Sequence, residues 1–258
     1  MKPPLRIAIL ECDTPLEQTQ HKYGGYGGVF KALLEAGADA LGQPDLISSK
    51  KGLELSTFDV VNKQEYPEFD QIDAVLLTGS RHNSFDDDPW ILKLVNWVRY
   101  LLHQDRIRII GICFGHQILG RALGVGVGRS PGGWEVSVLP MELTPKGKEL
   151  FKQDTLSLHQ MHRDAVFEFP VGVQSLGASP RCSVQGMYQK GKFMSVQGHP
   201  EFTNDIVREL VTTRHVQGIF DDEMFQDAIA RVENRHDGLA VAAAFLRFLL
   251  EPDNWSSE

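Results

Sequence analysis

Two short runs, residues 72–77 and 107–112, are almost unbroken apolar sequence, and each leads into a glycine-bearing turn followed by a helical apolar stripe. A strand that is apolar on both faces has to be covered on both faces, as in a parallel sheet with helices packed above and below it. Residues 6–10 start the chain in the same manner, and residues 53–61 alternate well enough to form a strand. Residues 29–36, 90–102 and 116–123 have helical spacing. In the second of these, Ile91, Leu94, Val95, Val98, Leu101 and Leu102 fall on one stripe. Strand and helix in alternation predict an α/β fold with a doubly wound, mostly parallel central sheet and flanking helices. Four later runs, 136–143, 166–169, 183–188 and 193–197, are separated by turns and predict an antiparallel or mixed extension of that sheet. From Asn204 the pattern turns helical, over 205–220, 222–234 and 238–250. With no internal repeat and no low-complexity linker, the sequence reads as a single domain over 1–258, of which 204–258 is a helical C-terminal extension.

The chain has 258 residues, 42% of them hydrophobic, enough for one sizeable core. Its formal net charge of -8 and the lack of any basic run argue against a nucleic-acid or anionic-membrane partner. No apolar stretch reaches the roughly 18–20 residues of a membrane span, and the apolar segment 239–250 is interrupted by Arg247. The start, Met-Lys-Pro-Pro and then a strand, lacks the form of a signal peptide, so a cytoplasmic location is expected. The three cysteines, Cys12, Cys113 and Cys182, fit neither a disulfide framework nor a zinc site by spacing. Cys12 and Cys182 are read as small buried hydrophobes.

Cys113 stands apart. It lies where the apolar run 107–112 meets a helix, with Gly111 and Gly115 two residues to either side. A sharp strand–turn–helix of this kind presents a nucleophile at the carboxyl edge of the sheet and needs small neighbours. The helix N-terminus supplies free N–H groups and a positive dipole end, which favour a thiolate and a developing oxyanion. As a bare pattern, this leaves a nucleophile and a packed core cysteine both open. A second segment, Gly198-His199-Pro200-Glu201, follows another strand. A thiol nucleophile requires an imidazole base, and the imidazole requires an acceptor on its other nitrogen. Alone, the segment also reads as a surface turn.

Taken together, the G-x-C-x-G-x-Q segment and the later G-H-P-E segment resemble the class I glutamine amidotransferases, and the resemblance runs from about Arg6 to about Phe202. It implies a triad of Cys113 as nucleophile, His199 as general base and Glu201 as its orienting carboxylate. It also implies an oxyanion hole from the Phe114 N–H and the Gly79 region of the loop after 72–77. Gln117, one helical turn past Cys113, is expected to face the substrate. Met161, His162, Arg163 and Asp164 resemble the segment that holds the amino-acid end, with Arg163 standing where relatives often have a small residue. The implied reaction is hydrolysis of a γ-glutamyl amide, in glutamine or a γ-glutamyl peptide such as glutathione, with no metal and no organic cofactor. No Walker motif or other ATP loop is present, so any synthetase would be a separate partner. The layout resembles stand-alone fungal and plant amidotransferase-like proteins, some of them γ-glutamyl peptidases; the oligomeric state is open.

Other features have plainer readings. The glycines of 24–28 match neither phosphate-binding fingerprint and are read as a flexible approach to helix 29–36, ended by Gly37. His116 is expected to pack or face solvent. His82, His159 and His162 would bind metal only if folding gathered them. Asp86, Asp87 and Asp88 are read as a solvated loop with an aspartate cap for the helix at Pro89, and the loop 81–90 as a lengthened rim over the pocket.

Overall fold

The computed structural model describes residues 1–104 and 106–252, so the end of the expected helical tail, 253–258, lies outside the described residues. Strands β1 (Leu5–Glu11), β2 (Leu53–Asp59), β3 (Ala74–Leu77) and β4 (Arg108–Ile112) alternate with helices α1 (Glu17–Tyr23), α2 (Tyr26–Ala40), α3 (Pro89–Leu102) and α4 (Phe114–Ala122). There follow β5 (Val127–Arg129), β6 (Glu135–Leu143), α5 (Pro145–Phe151), β7 (Leu156–His162), β8 (Asp164–Val166), β9 (Gln174–Ala178), β10 (Gly186–Gln189) and β11 (Phe193–Val196). Helices α6 (Asn204–Val216), α7 (Asp222–Arg231) and α8 (Gly238–Leu250) end the described chain.

Among the described residues, nine strands form one sheet in the order β2-β1-β3-β4-β11-β10-β9-β6-β7. The β2-β1-β3-β4-β11 half is parallel and the rest antiparallel. The central parallel strands are buried, every residue of β3 and β4 among them, whereas the edge strand β2 has no buried residue. Their side chains alternate between two cores. Ile7, Ile9, Leu76 and Ile110 pack with Phe30, Leu34, Phe245 and Leu249 of α2 and α8. Ala8, Leu10, Val75 and Ile109 pack with Ile91, Leu94, Val98 and Ile118 of α3 and α4. The period-2 alternation of a strand thus assigns successive residues to opposite helix layers. Arg108, fully buried at the start of β4, donates to the carbonyls of Phe248 (2.5 Å), Leu249 (3.0 Å) and Glu251 (2.9 Å), fastening the end of α8 to the sheet. No described helix is long and apolar enough to cross a membrane.

Several expectations need correction. The glycines of 24–28 are not a flexible loop: Gly27, Gly28 and Gly37 lie inside α2, and α1 precedes it. A Cβ on Gly28 would strike the Tyr23 carbonyl and one on Gly37 would sit 2.8 Å from Ala242 Cβ, so close helix packing, not flexibility, requires these glycines. Gly24 (φ 76°) and Gly25 (φ 150°) make the turn between the two helices. Of residues 166–169 only Val166 is in a strand, as the last residue of β8, and β7, β9 and β5 appear where no strand was predicted. β7 spans most of its length against β6 as a hairpin-like pair whose polar residues Gln160 and His162 are buried, which disguises it as loop sequence. Asp88 precedes α3 but its side chain makes no capping bond; Pro89 at the first turn starts the helix without one.

Candidate active site

β4 ends at Ile112, α4 begins at Phe114, and the single residue between, Cys113, adopts φ 50° and ψ −101°. Such a positive φ is disfavoured for a residue with a side chain and is held here by its surroundings. The Cys113 N–H donates to the Val196 carbonyl (3.0 Å), the Gln117 N–H to the Cys113 carbonyl (3.0 Å) and the Gly115 N–H to the Thr78 carbonyl (3.2 Å). The turn is tight enough to exclude side chains. A Cβ on Gly111 would lie 2.9 Å from the Gly115 carbonyl oxygen, and one on Gly115 would lie 2.5 Å from Leu77 Cβ. Gly115→Ala is therefore expected to lower stability by about 1–3 kcal/mol through overpacking and to displace the Cys113 turn. A thermal melt unchanged from wild type would contradict this. Among the described residues, no acceptor pairs with the N–H of Gly79 or Phe114. Both therefore remain available to a ligand oxygen.

His199 follows β11, where its N–H donates to the His159 carbonyl (2.8 Å). Its ring stacks on Phe202 at 3.9 Å between centroids, and Nδ1 lies 2.8 Å from Glu201 Oε1. The ring lies beside Cys113. A Cβ built on Gly79 would sit 2.7 Å from His199 Cε1 and 3.7 Å from Cys113 Cβ, so one added carbon would touch both residues. Burial lowers the His199 pKa, but Glu201 and Cys113 outweigh it and carry the group up to about 10. His199 and Glu201 are both about 4% exposed, so the carboxylate acts on the imidazole in a medium that screens it little. The sequence segments expected to form a triad are thus brought together, and a surface His-Pro turn is excluded by this burial.

Gln117 faces the same cavity but is more tied than expected. Its amide donates to the Asp164 carbonyl (2.9 Å) and to Gln197 Oε1 (3.0 Å), and its oxygen accepts from Ser84 Oγ (3.0 Å). Both amide hydrogens are thereby used, and the residue braces β8 and the 81–90 loop against α4. Met161 and Asp164 are buried along the cavity, and Asp164 pairs with Arg129 at 2.6 Å. Burial nevertheless raises the Asp164 pKa above the usual carboxylate value. Arg163 is exposed and lies 5.1 Å from the Trp134 ring centroid, so it folds back on an aromatic face rather than projecting freely.

His162 is turned toward another cluster. Its Nε2 lies 3.0 Å from Glu135 Oε2 and its Nδ1 3.1 Å from the Asp164 carbonyl. Cys182 completes a group whose ligand atoms all lie within 4.8 Å. Cys182 is buried, as expected of a small hydrophobe, and its neighbours are polar. Its Sγ contacts the Val184 carbonyl at 3.6 Å, and burial pushes the thiol up to about 12. Glu135 is held below the usual carboxylate range because, although burial opposes it, the neighbouring His162 and a hydrogen bond from Ser179 favour the anion. The other histidines are dispersed: His82 is edge-on to Trp90, His159 packs on His236, and His116 is fully buried with Nδ1 2.9 Å from Ser195 Oγ.

An open cavity of about 350 Å³ lies over Cys113 at the carboxyl ends of β3 and β4, as the switch-point rule for open α/β sheets expects. Part of its wall was not foreseen. Asp13 and Thr14 follow β1, and their place at a carboxyl edge was the signal that could have found them. Tyr26, Trp134 and Arg214 also line it, and nothing in their local sequence announces this. α6 reaches the cavity because Ile206, Val207 and Val211 pack with Tyr26, Val136 and Phe202 in a third core.

The family model of class I glutamine amidotransferases matches residues 48–213. A glutamine amidotransferase-like protein of Schizosaccharomyces pombe is 35% identical over 250 residues, covering 95% of this chain and 98% of the relative. Gamma-glutamyl peptidase 4 of Arabidopsis thaliana is 30% identical over 206 residues, covering 76% of this chain and 75% of the relative. The crystal structure of a glutamine amidotransferase from Thermotoga maritima superposes with a TM-score of 0.70 at 17% identity, covering 96% of this chain and 99% of that one. The residues matched by the family model include Cys113, His199 and Glu201. The chain belongs to the class I glutamine amidotransferase family, related to its stand-alone fungal and plant members, and is a cysteine hydrolase built on that fold.

Proposed function

We propose that the protein hydrolyses γ-glutamyl amide bonds through a thioester on Cys113, releasing glutamate. In this reading His199, whose pKa stands near 10, already holds the proton given up by Cys113, and the sulfur adds as an anion to the γ-carbonyl carbon. The carbonyl oxygen becomes an oxyanion held by the Gly79 and Phe114 N–H groups. His199 then gives its proton to the departing nitrogen, and the amine or ammonia leaves. Water, deprotonated by His199, adds to the thioester; the C–S bond breaks, and glutamate and the resting pair of Cys113 sulfur and protonated His199 result. Glu201 keeps the ring oriented and stabilises its protonated form. The observation that carries the proposal is the meeting of Cys113, His199 and two unpaired N–H groups at one turn.

The second cysteine cluster is a poorer candidate. Cys182 has no helix N-terminus beside it, its thiol is pushed up to about 12, and its partner His162 is already committed to Glu135 and the Asp164 carbonyl. The substrate we favour is a γ-glutamyl peptide, since the cavity is larger than free glutamine fills and several plant relatives are named γ-glutamyl peptidases. We infer a cytoplasmic setting, supported by three unpaired cysteines and testable by cell fractionation.

The test is glutamate release by purified protein supplied in parallel with glutamine and glutathione. Release from glutathione is expected. Release from glutamine alone would replace the peptidase reading with a glutaminase that delivers ammonia to a separate synthetase. No release from either compound would defeat both.

A further inference from the structure

The charges lining the cavity do not balance. Arg81 is bound to Asp13 at 2.8 Å and Arg129 to Asp164 at 2.6 Å. Arg214, in the last turn of α6, has no such partner among the described residues. It is half-buried, and its Nη1 is closed to solvent without a single hydrogen-bond acceptor. Its guanidinium lies 5.1 Å from the Trp134 ring centroid and 5.8 Å from that of Phe220. Arg163 lies at the same 5.1 Å from Trp134, so two guanidinium groups share one aromatic ring at the cavity wall.

An arginine keeps its proton in such a place, and a withdrawn, unpaired guanidinium is costly unless an anion arrives. Burial does work against the charge of Arg214, and no carboxylate accepts from it. The aromatic faces restrain the fork but leave its in-plane donors unused, and those donors fit the two oxygens of a carboxylate. The Arg129–Asp164 pair already presents one charge of each sign, the complement of an amino acid's ammonium and carboxylate. Glutamine has no further charge to offer. A γ-glutamyl peptide has one more carboxylate, at the end of its departing amine.

We propose that Arg214, assisted by Arg163 across Trp134, forms an anion subsite for the terminal carboxylate of the leaving group. The preferred substrates are accordingly γ-glutamyl dipeptides or tripeptides with a free C-terminus. This assignment rests on the γ-glutamyl reading above and specifies which amines that reaction releases.

The experiment compares γ-glutamylglycine with γ-glutamylglycinamide, which share the scissile bond and differ in the terminal charge. With the full-length wild-type protein, kcat/KM for the acid is expected to exceed that for the amide by about 10- to 100-fold, the range of a charge-assisted hydrogen bond. In Arg214→Gln this ratio should fall close to one, mainly through a higher KM for the acid, and Arg214→Lys should recover part of it. Arg163→Gln should lower the ratio less. A thermal melt of each variant establishes that it is folded. Equal wild-type rates for acid and amide would overturn the subsite. So would an Arg214→Gln variant that slows both compounds by the same factor, since Arg214 would then hold the glutamyl end or the fold. Glutamate release from neither compound, nor from glutamine, would overturn the γ-glutamyl reading and the subsite with it.

Discussion

Cys113→Ala is expected to abolish glutamate release, with a loss on the order of 10⁶-fold in kcat, as when the nucleophile of a coupled hydrolytic triad is removed. Cys182→Ala is expected to retain activity within about tenfold, since losing a buried cysteine sulfur acts through packing at a cost of a few kcal/mol at most. The two variants discriminate between the two cysteine clusters. Cys113 sits at a helix N-terminus with positive φ, beside the His199 ring and, among the described residues, two N–H groups without an acceptor. Cys182 is enclosed against the Val184 carbonyl in a network that braces Glu135, Ser179 and Gln185. The measurement is single-turnover glutamate release with each variant, together with alkylation of the thiols by iodoacetamide. Full activity in Cys113→Ala and none in Cys182→Ala would reverse the assignment.

Glu201→Gln is expected to reduce kcat by about 10⁴-fold while leaving the fold intact, because an amide in that place supports the wrong imidazole tautomer. The substitution is nearly isosteric, so the stacking of His199 on Phe202 should persist. It should also change how stability depends on pH. A histidine whose folded pKa stands near 10, above its usual 6.5, contributes stability that is fully present below about 6.5 and is lost as pH rises through about 10. Removing the Glu201 charge takes away a large part of what holds the proton. The fall in melting temperature between pH 7 and pH 10 should therefore be smaller in Glu201→Gln than in wild type. An identical fall in the two proteins would show that Glu201 does not support the protonated ring.

The sequence by itself determined the centre of the parallel half of the sheet, because strands covered on both faces have to be mostly apolar, and 72–77 and 107–112 are, with Asp73 and Arg108 the exceptions. It also determined the nucleophile turn, since the backbone there tolerates so little bulk that Gly111 and Gly115 mark it in the chain. His199 and Glu201 were legible only through the resemblance that their segment and the cysteine segment carry together; alone the pair also read as a surface turn, and the fold that buries them brings Nδ1 and Oε1 to 2.8 Å. What failed in the reading failed where a residue's environment comes from far along the chain. The glycines of α2 looked like a loop because the surfaces that require them, Tyr23 and Ala242, lie on other helices. Cys182 was read correctly as buried, but its neighbours Glu135 and His162 were not legible because they reach it only after β6 and β7 have paired. Arg214 looked like one more charge on an amphipathic helix. Tertiary structure alone decided that α6 would lean on Tyr26 and Phe202, draw that guanidinium away from water and set it unpaired beside Trp134. Side-chain pattern encodes what a residue does within its own element, whereas a site assembled from separate elements exists only once the packing of those elements has fixed the distances between them.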